Sequence, residues 1–220
     1  IVIGQSTEHA TLNAAAKTYR PLVVWGTEVE GQKYCTVGSD NRAGAAAAVT
    51  HLVLTGRKRI LFLGDPKVPE LGQRYAGYRS ALEAAKLTPH HEVPAHLTAE
   101  AAYRTVHDLA TGRAPFDAIF AASDVIAISA IRALADAGRS VPRDVAVVGF
   151  DDIALAAHAN PPLTTVRQDL AQGAKLLVDL VFRRIGGEDT ASVVLPAELV
   201  VRESSAAPPA SRRSAGAARR

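Results

Sequence analysis

Two adjacent carboxylates, Asp151 and Asp152, close the apolar run Val147-Val148-Gly149-Phe150. A rigid Pro161-Pro162 turn then leads into a second run, Leu163 to Val166, closed by Arg167, Gln168 and Asp169. Earlier apolar runs also end in small or polar residues: Gly4-Gln5, Asp65 and Ser123-Asp124. If these runs are parallel strands of one sheet, their ends share an edge, and polar groups far apart in sequence converge there. Carboxylate, hydroxyl, amide and guanidinium groups together suit a polyhydroxylated ligand. Carboxylates accept from paired hydroxyls, and arginine donates through a rigid fork. Charge-assisted, saturated hydrogen bonding compensates the desolvation of so polar a molecule.

Catalytic signatures are absent. The sequence has no Gly-x-Ser-x-Gly elbow, no Gly-x-x-x-x-Gly-Lys phosphate loop and no Gly-x-Gly-x-x-Gly. His91-Glu92 with His96 superficially resembles a metalloprotease motif. The histidines are five apart, off a common helix face, and Pro94 breaks the helix such a motif needs. Cys35 is the sole cysteine, which excludes a disulfide framework and a thiolate metal site within the chain. His51 and His107 read as helix-surface or interface residues. A non-enzyme without metal or cofactor is expected.

The elements that must position these groups alternate regularly. Apolar strand-type runs fall at 1–3, 22–25, 60–64, 116–121, 144–150, 163–167 and 192–201. Helical stretches fall at about 8–18, 41–55, 71–87, 98–111, 124–137 and 169–185. Such alternation predicts βαβ units and an α/β fold with parallel sheets flanked by helices. Asp40 and Asp124 stand at N-cap positions, and Gly56, Gly112, Gly138 and Gly186 where helices should stop. For Asp124, helix capping competes with ligand contact.

Composition bounds the partners. A chain of 220 residues, 48% hydrophobic and 21% charged, can bury a core, and no apolar run approaches the length of a membrane span. The formal charge of +3 comes from residues 204–220, which carry Arg212, Arg213, Arg219 and Arg220 and no acid. Without them, 21 basic residues face 22 acidic ones, so the body lacks the basic excess of a duplex-binding domain. The 204–220 tail reads as disordered, with no core to join. Ile1-Val2-Ile3 reads as a strand cut in its middle rather than a signal peptide, so the chain reads as part of a longer one.

Several pieces, in order, resemble the lac repressor family of transcription regulators over about residues 1–203. They are Gly38-Ser39-Asp40-Asn41; His51-Leu52 to Gly56 with Arg59-Ile60; Arg74-Tyr75-Ala76-Gly77-Tyr78; Ser123-Asp124; Val141 to Val145; Gly149 to Asp152; and Pro162 to Thr165. The resemblance implies a two-lobed, periplasmic-binding-protein-like (type I) fold. One lobe would be about 1–57 plus 168–190, the other about 58–167 plus 191–203, with crossings near Arg57, Gln168 and 188–191. Arg74 and Asp151 match the typical effector contacts, and Ser123, Gln168 and Asp124 complete the expected site. Leu97 falls near a place where some members stack an aromatic on a sugar face, which a leucine does not do.

The implied function is cytoplasmic transcription regulation, in the form of repression, by a sugar or related small effector. A homodimer would use helices 98–111 and 124–137, with Ile128, His158 and Ala159 at the interface. DNA would be read by an upstream helix-turn-helix outside this chain. The rival readings are an extracytoplasmic sugar-binding protein of a transporter and, more remotely, an α/β enzyme.

Overall fold

A computed structural model describes residues 1–4, 9–89, 92, 93, 98–112 and 116–205. His91, Pro94, His96, Leu97 and Gln5 lie outside the described residues.

The first sheet comprises β1 (Val2–Ile3), β2 (Val23–Trp25), β3 (Cys35–Ser39) and β9 (Val193–Leu195), in that spatial order and parallel throughout. The second contains β4 (Ile60–Leu63), β5 (Glu92–Val93), β6 (Ala118–Ala121), β7 (Ala146–Asp151), β8 (Thr164–Gln168) and β10 (Ala197–Val200). Its order is β10-β8-β7-β6-β4-β5, parallel except where β10 runs antiparallel to β8. Strands β4 and β6 are buried at every position, as expected for a parallel sheet covered on both faces.

The covering layers follow from which side chains are apolar. Helices α4 (Ala99–Thr111) and α5 (Asp124–Asp136) bury Ala102, Val106, Ile126, Ile131 and Leu134 on one face of the large sheet. Helices α2 (Asn41–Leu54) and α3 (Pro69–Ala84) cover the other with Val49, Leu52, Leu71, Tyr78 and Leu82. Gly44 lets α2 approach closely, since a Cβ there would lie 2.8 Å from Val166 Cγ1 and 3.0 Å from Ala197 Cβ. In the small sheet, α6 (Leu170–Ile185) packs Leu177 and Leu180 on Val23, Cys35 and Val37, while α1 (His9–Thr18) covers Val24.

Several features differ from the sequence-based expectation, in which β5 is also absent. Strand β3 is missing from that expectation, because Cys-Thr-Val-Gly-Ser has only Thr36 and Val37 as strand formers and a strand-weakening glycine beside them, yet all five residues are buried. The crossing expected near Arg57 lies at Asp40, since α2 packs on α3 and the large sheet, and the crossing expected at 188–191 lies at Pro196, between β9 and β10. The chain also passes from β8 to α6 through Gln168 and Asp169. The Asp40 N–H donates to Leu195 O at 2.8 Å, and Ala197 pairs with Gln168, so the three passages are stitched together.

The last difference concerns the tail boundary. Ser204 and Ser205, assigned to it from sequence, are fully buried. Ser204 fills the backbone ladder beyond β10: Val147 N donates to its carbonyl and its own N–H to Pro162 O. The body therefore includes Ser204 and Ser205, and residues 206–220 of the expected tail lie outside the described residues.

Candidate functional site

The site forms where strand ends of the two sheets face each other. A cavity of about 320 Å³ is lined by Gly4, Trp25, Ser39, Asn41, Glu70, Arg74, Ser123, Asp151 and Gln168, with a few apolar neighbours. Four of the five predicted effector contacts, Arg74, Ser123, Asp151 and Gln168, thus share one cavity. Asp124 does not line it. Asp65 closes its own loop, accepting from Lys67 N at 3.0 Å.

Arg74 sits on the inward face of α3, 6% exposed. Its Nε donates to Asn41 Oδ1 at 2.8 Å, Nη1 donates to Ala122 O, and its Cζ lies 3.7 Å from the Phe150 ring centroid. Nη1 also stands 3.5 Å from Asp151 Oδ1, to which Gln168 Nε2 donates at 2.7 Å. Burial pushes the Asp151 carboxyl above its ordinary range, opposed by the Arg74 charge and the Gln168 amide.

Asp151 and Asp152 adopt φ of +119° and +53°, a costly region for residues bearing a Cβ. Asp152 holds the turn in place. It accepts from Arg167 Nε and Arg202 Nη2, each at 2.7 Å, and Arg202 Nη1 donates onward to Leu163 O at 2.8 Å. Desolvation pushes Asp152 upward, but the hydrogen bonds and charges of Arg202 and Arg167 outweigh it and hold the carboxyl below its usual range.

Asp124 is a correction. Ser123, not Asp124, caps α5, its hydroxyl accepting from Ile126 N. Asp124 is the first helical residue and fully buried, accepting from Ile153 N at 2.9 Å and from the Thr165 hydroxyl at 2.5 Å. Burial lifts its carboxyl from 3.8 to about 6, against those two hydrogen bonds and with a further push from Asp151 and Asp152.

Because the folded value lies above the unfolded one, the native state binds more protons between about pH 4 and 6. The associated stability is complete below that window and is lost as pH rises through it. A displacement of this size corresponds to about 3 kcal/mol. Asp124→Asn keeps an acceptor for Ile153 N without the charge. Urea melts should find it about 2–3 kcal/mol more stable than the parent at pH 7.5, with a flatter profile from pH 4 to 7. A variant less stable than the parent at pH 7.5 contradicts this.

Trp25 and Glu70 were not singled out from sequence, and Ser39 and Asn41 entered only as part of a family motif, not as site residues. Trp25 closes a recognised strand, so the strand-end rule applied to it; Ser39 closes the strand that was missed. Asn41 follows the helix-capping Asp40, whose side chain accepts from Ala43 N at 2.8 Å. Among the described residues no group of three or more His, Cys, Asp or Glu could hold a metal ion, and no helix is long and apolar enough to cross a membrane.

Residues 49–205 match the profile of the periplasmic binding protein-like domain. A solved LacI-family regulator from Sanguibacter keddieii superposes with a TM-score of 0.78 at 34% identity, covering 85% of this chain and 72% of that one. The chain belongs to the LacI family of transcriptional regulators. It is also 37% identical to the HTH-type transcriptional regulator CelR of Thermobifida fusca, over 84% of this chain and 54% of that protein. A CelR–cellobiose complex aligns with a TM-score of 0.77 at 35% identity, covering 83% of this chain and 58% of that one. This LacI-family chain therefore spans about half the length of CelR.

Proposed function

We propose that this domain is the effector-sensing part of a ligand-responsive transcriptional repressor, and that it binds a sugar or related small metabolite between its lobes. The observation that carries the reading is the convergence of Arg74, Ser123, Asp151 and Gln168 with Trp25 and Ser39 on one cavity. The CelR relative solved with cellobiose supports a saccharide. An effector touching both lobes favours one lobe arrangement, and a homodimer passes that preference to upstream helix-turn-helix heads that read operator DNA in the cytoplasm.

The dimer would use α4, α5 and the segment 154–159. Val125 and Leu155 are 47% and 57% exposed, and the bond from Ile153 N to Asp124 ties their segments together. His158 is exposed and Ala159 half-buried, whereas Ile128 packs partly on the core and Ile131 is buried, so only part of the α5 apolar stripe is available. Sedimentation of the complete protein tests this assembly, and a monomer at micromolar concentration rejects it.

For the site, Asp151→Asn is expected to weaken the effector by about 1.5–3 kcal/mol in calorimetry, the range for a hydrogen bond to a charged group. The variant stays folded, because Arg74 keeps its bonds to Asn41 and Ala122. Unchanged affinity removes the assignment.

A further inference from the structure

Trp25 is the sole tryptophan of the chain, at the carboxyl end of β2. It is half-buried and borders the same cavity as Arg74, Asp151 and Gln168. Its six-membered ring is backed by α6. A Cβ on Gly173 would lie 2.3 Å from Cζ3 and 2.9 Å from Cη2, so only glycine lets the helix come this close. An indole seated in this way presents a fixed apolar surface at low entropic cost.

Two further features define what could lie against it. Ser39 stands on the neighbouring strand, two residues beyond Val37, which is in register with Trp25. By strand alternation Ser39 shares the Trp25 face of the sheet. Its hydroxyl is buried without a hydrogen-bond partner and borders the cavity. The charge of the lining is also informative. Among the described residues Arg74 is the only basic side chain lining it, it is already committed to Asn41, Ala122 and Asp151, and Glu70 adds a second carboxylate. An anionic ligand would meet two carboxylates and a guanidinium with most of its donors occupied.

We infer that Trp25 is the specificity-determining platform of the cavity, and that it selects a neutral pyranose. The ring's C–H face lies on the indole and its hydroxyls meet Ser39, Asp151 and Gln168. Pyranoses present such a face, with hydrogens that match the negative face of an aromatic ring. An acyclic polyol or a phosphorylated sugar does not fit this combination of platform and charge. The inference rests on the effector reading above and narrows it.

The test is a calorimetric and tryptophan-emission titration of the 220-residue chain with glucose, galactose, cellobiose, ribose, glucose 6-phosphate, sorbitol and inorganic phosphate. A neutral pyranose should bind and change the emission of Trp25. Trp25→Leu should weaken it at least tenfold, and Trp25→Phe, which keeps a ring face and the packing on α6, should retain most of the affinity. A pyranose that binds Trp25→Leu and the parent equally overturns the platform. So does tighter binding of glucose 6-phosphate than of glucose, or a Trp25→Phe variant as weak as Trp25→Leu. In those cases a loss on Asp151→Asn leaves the effector site standing. Ligands that bind the parent and Asp151→Asn alike instead remove the site itself, and the platform with it.

Discussion

Arg74→Ala is expected to cost about 3–5 kcal/mol of folding stability, the range for removing one partner of a buried ion pair. The guanidinium is almost wholly enclosed and serves three groups at once: the Asn41 amide oxygen, the Ala122 carbonyl and the Asp151 carboxylate. Alanine leaves all three without that partner and removes the cation from the Phe150 face. The loss should depend on pH. Burial already raises the Asp151 carboxyl, and the Arg74 charge is the largest effect opposing that rise. Without Arg74 the folded-state value climbs further above the unfolded one, so the variant loses additional stability as pH rises from the acid side. Urea melts should show a larger deficit against the parent at pH 7.5 than at pH 4. Arg74→Lys should fall between, since it restores charge but not the fork that reaches Asn41 and Ala122 together. A deficit below about 1 kcal/mol at neutral pH would show that solvent replaces the guanidinium without difficulty. The same reasoning makes Asp151→Asn the cleaner probe of effector binding.

The strand ends were legible because period and punctuation agree: long apolar runs, then carboxylates, then glycine-stopped helices. The packing of α2 was not. Its central stretch is Ala43 to Ala48 with Gly44, and small side chains do not reveal whether a helix lies on its own sheet or the next. Only the fit of Gly44 beneath Phe150, Val166 and Ala197 decides that it belongs to the large sheet. Strand β3 escaped for a related reason. Its glycine is required by a tertiary contact, as a Cβ on Gly38 would lie 2.0 Å from Gly26 O, and local propensity cannot register such a need. Asp124 looked like a helix cap because caps are the commonest use of an aspartate there. The preceding serine took that role, freeing Asp124 to tie α5 to Ile153 and Thr165.

Ser204 and Ser205 were hidden by composition, and the consequence is large. Cutting the chain after Glu203 should destabilise it by about 3–5 kcal/mol, whereas cutting after Ser205 should change stability by less than about 1 kcal/mol. Nothing in the residue types Ser-Ser separates these two positions from the Ala, Pro, Ser, Gly and Arg that follow. Their partners do. Val147 N donates to Ser204 O at 2.8 Å, Thr164 N donates to Ser204 Oγ at 2.8 Å, and that hydroxyl donates to Val147 O at 2.6 Å. Ser205 Oγ donates to Thr164 Oγ1 at 2.7 Å and lies 2.8 Å from His51 Nε2, linking β8 to α2. Each internal bond contributes on the order of 1 kcal/mol net, and a buried donor left without one costs about 1–3 kcal/mol. Ser204→Ala in the whole chain isolates the hydroxyl. It should lose about 1–3 kcal/mol, because Thr164 N and Val147 O lose their partner while the backbone bonds persist. Denaturant unfolding of the two truncations and the point variant orders them as after Ser205, then Ser204→Ala, then after Glu203. Equal midpoints for the two truncations would mean that this short segment docks without contributing to stability. The difference matters for the site, because Arg202, just before it, shares Asp152 with Arg167. Release of this segment would loosen the turn that presents Asp151, so the longer truncation should also bind effector more weakly than the shorter one.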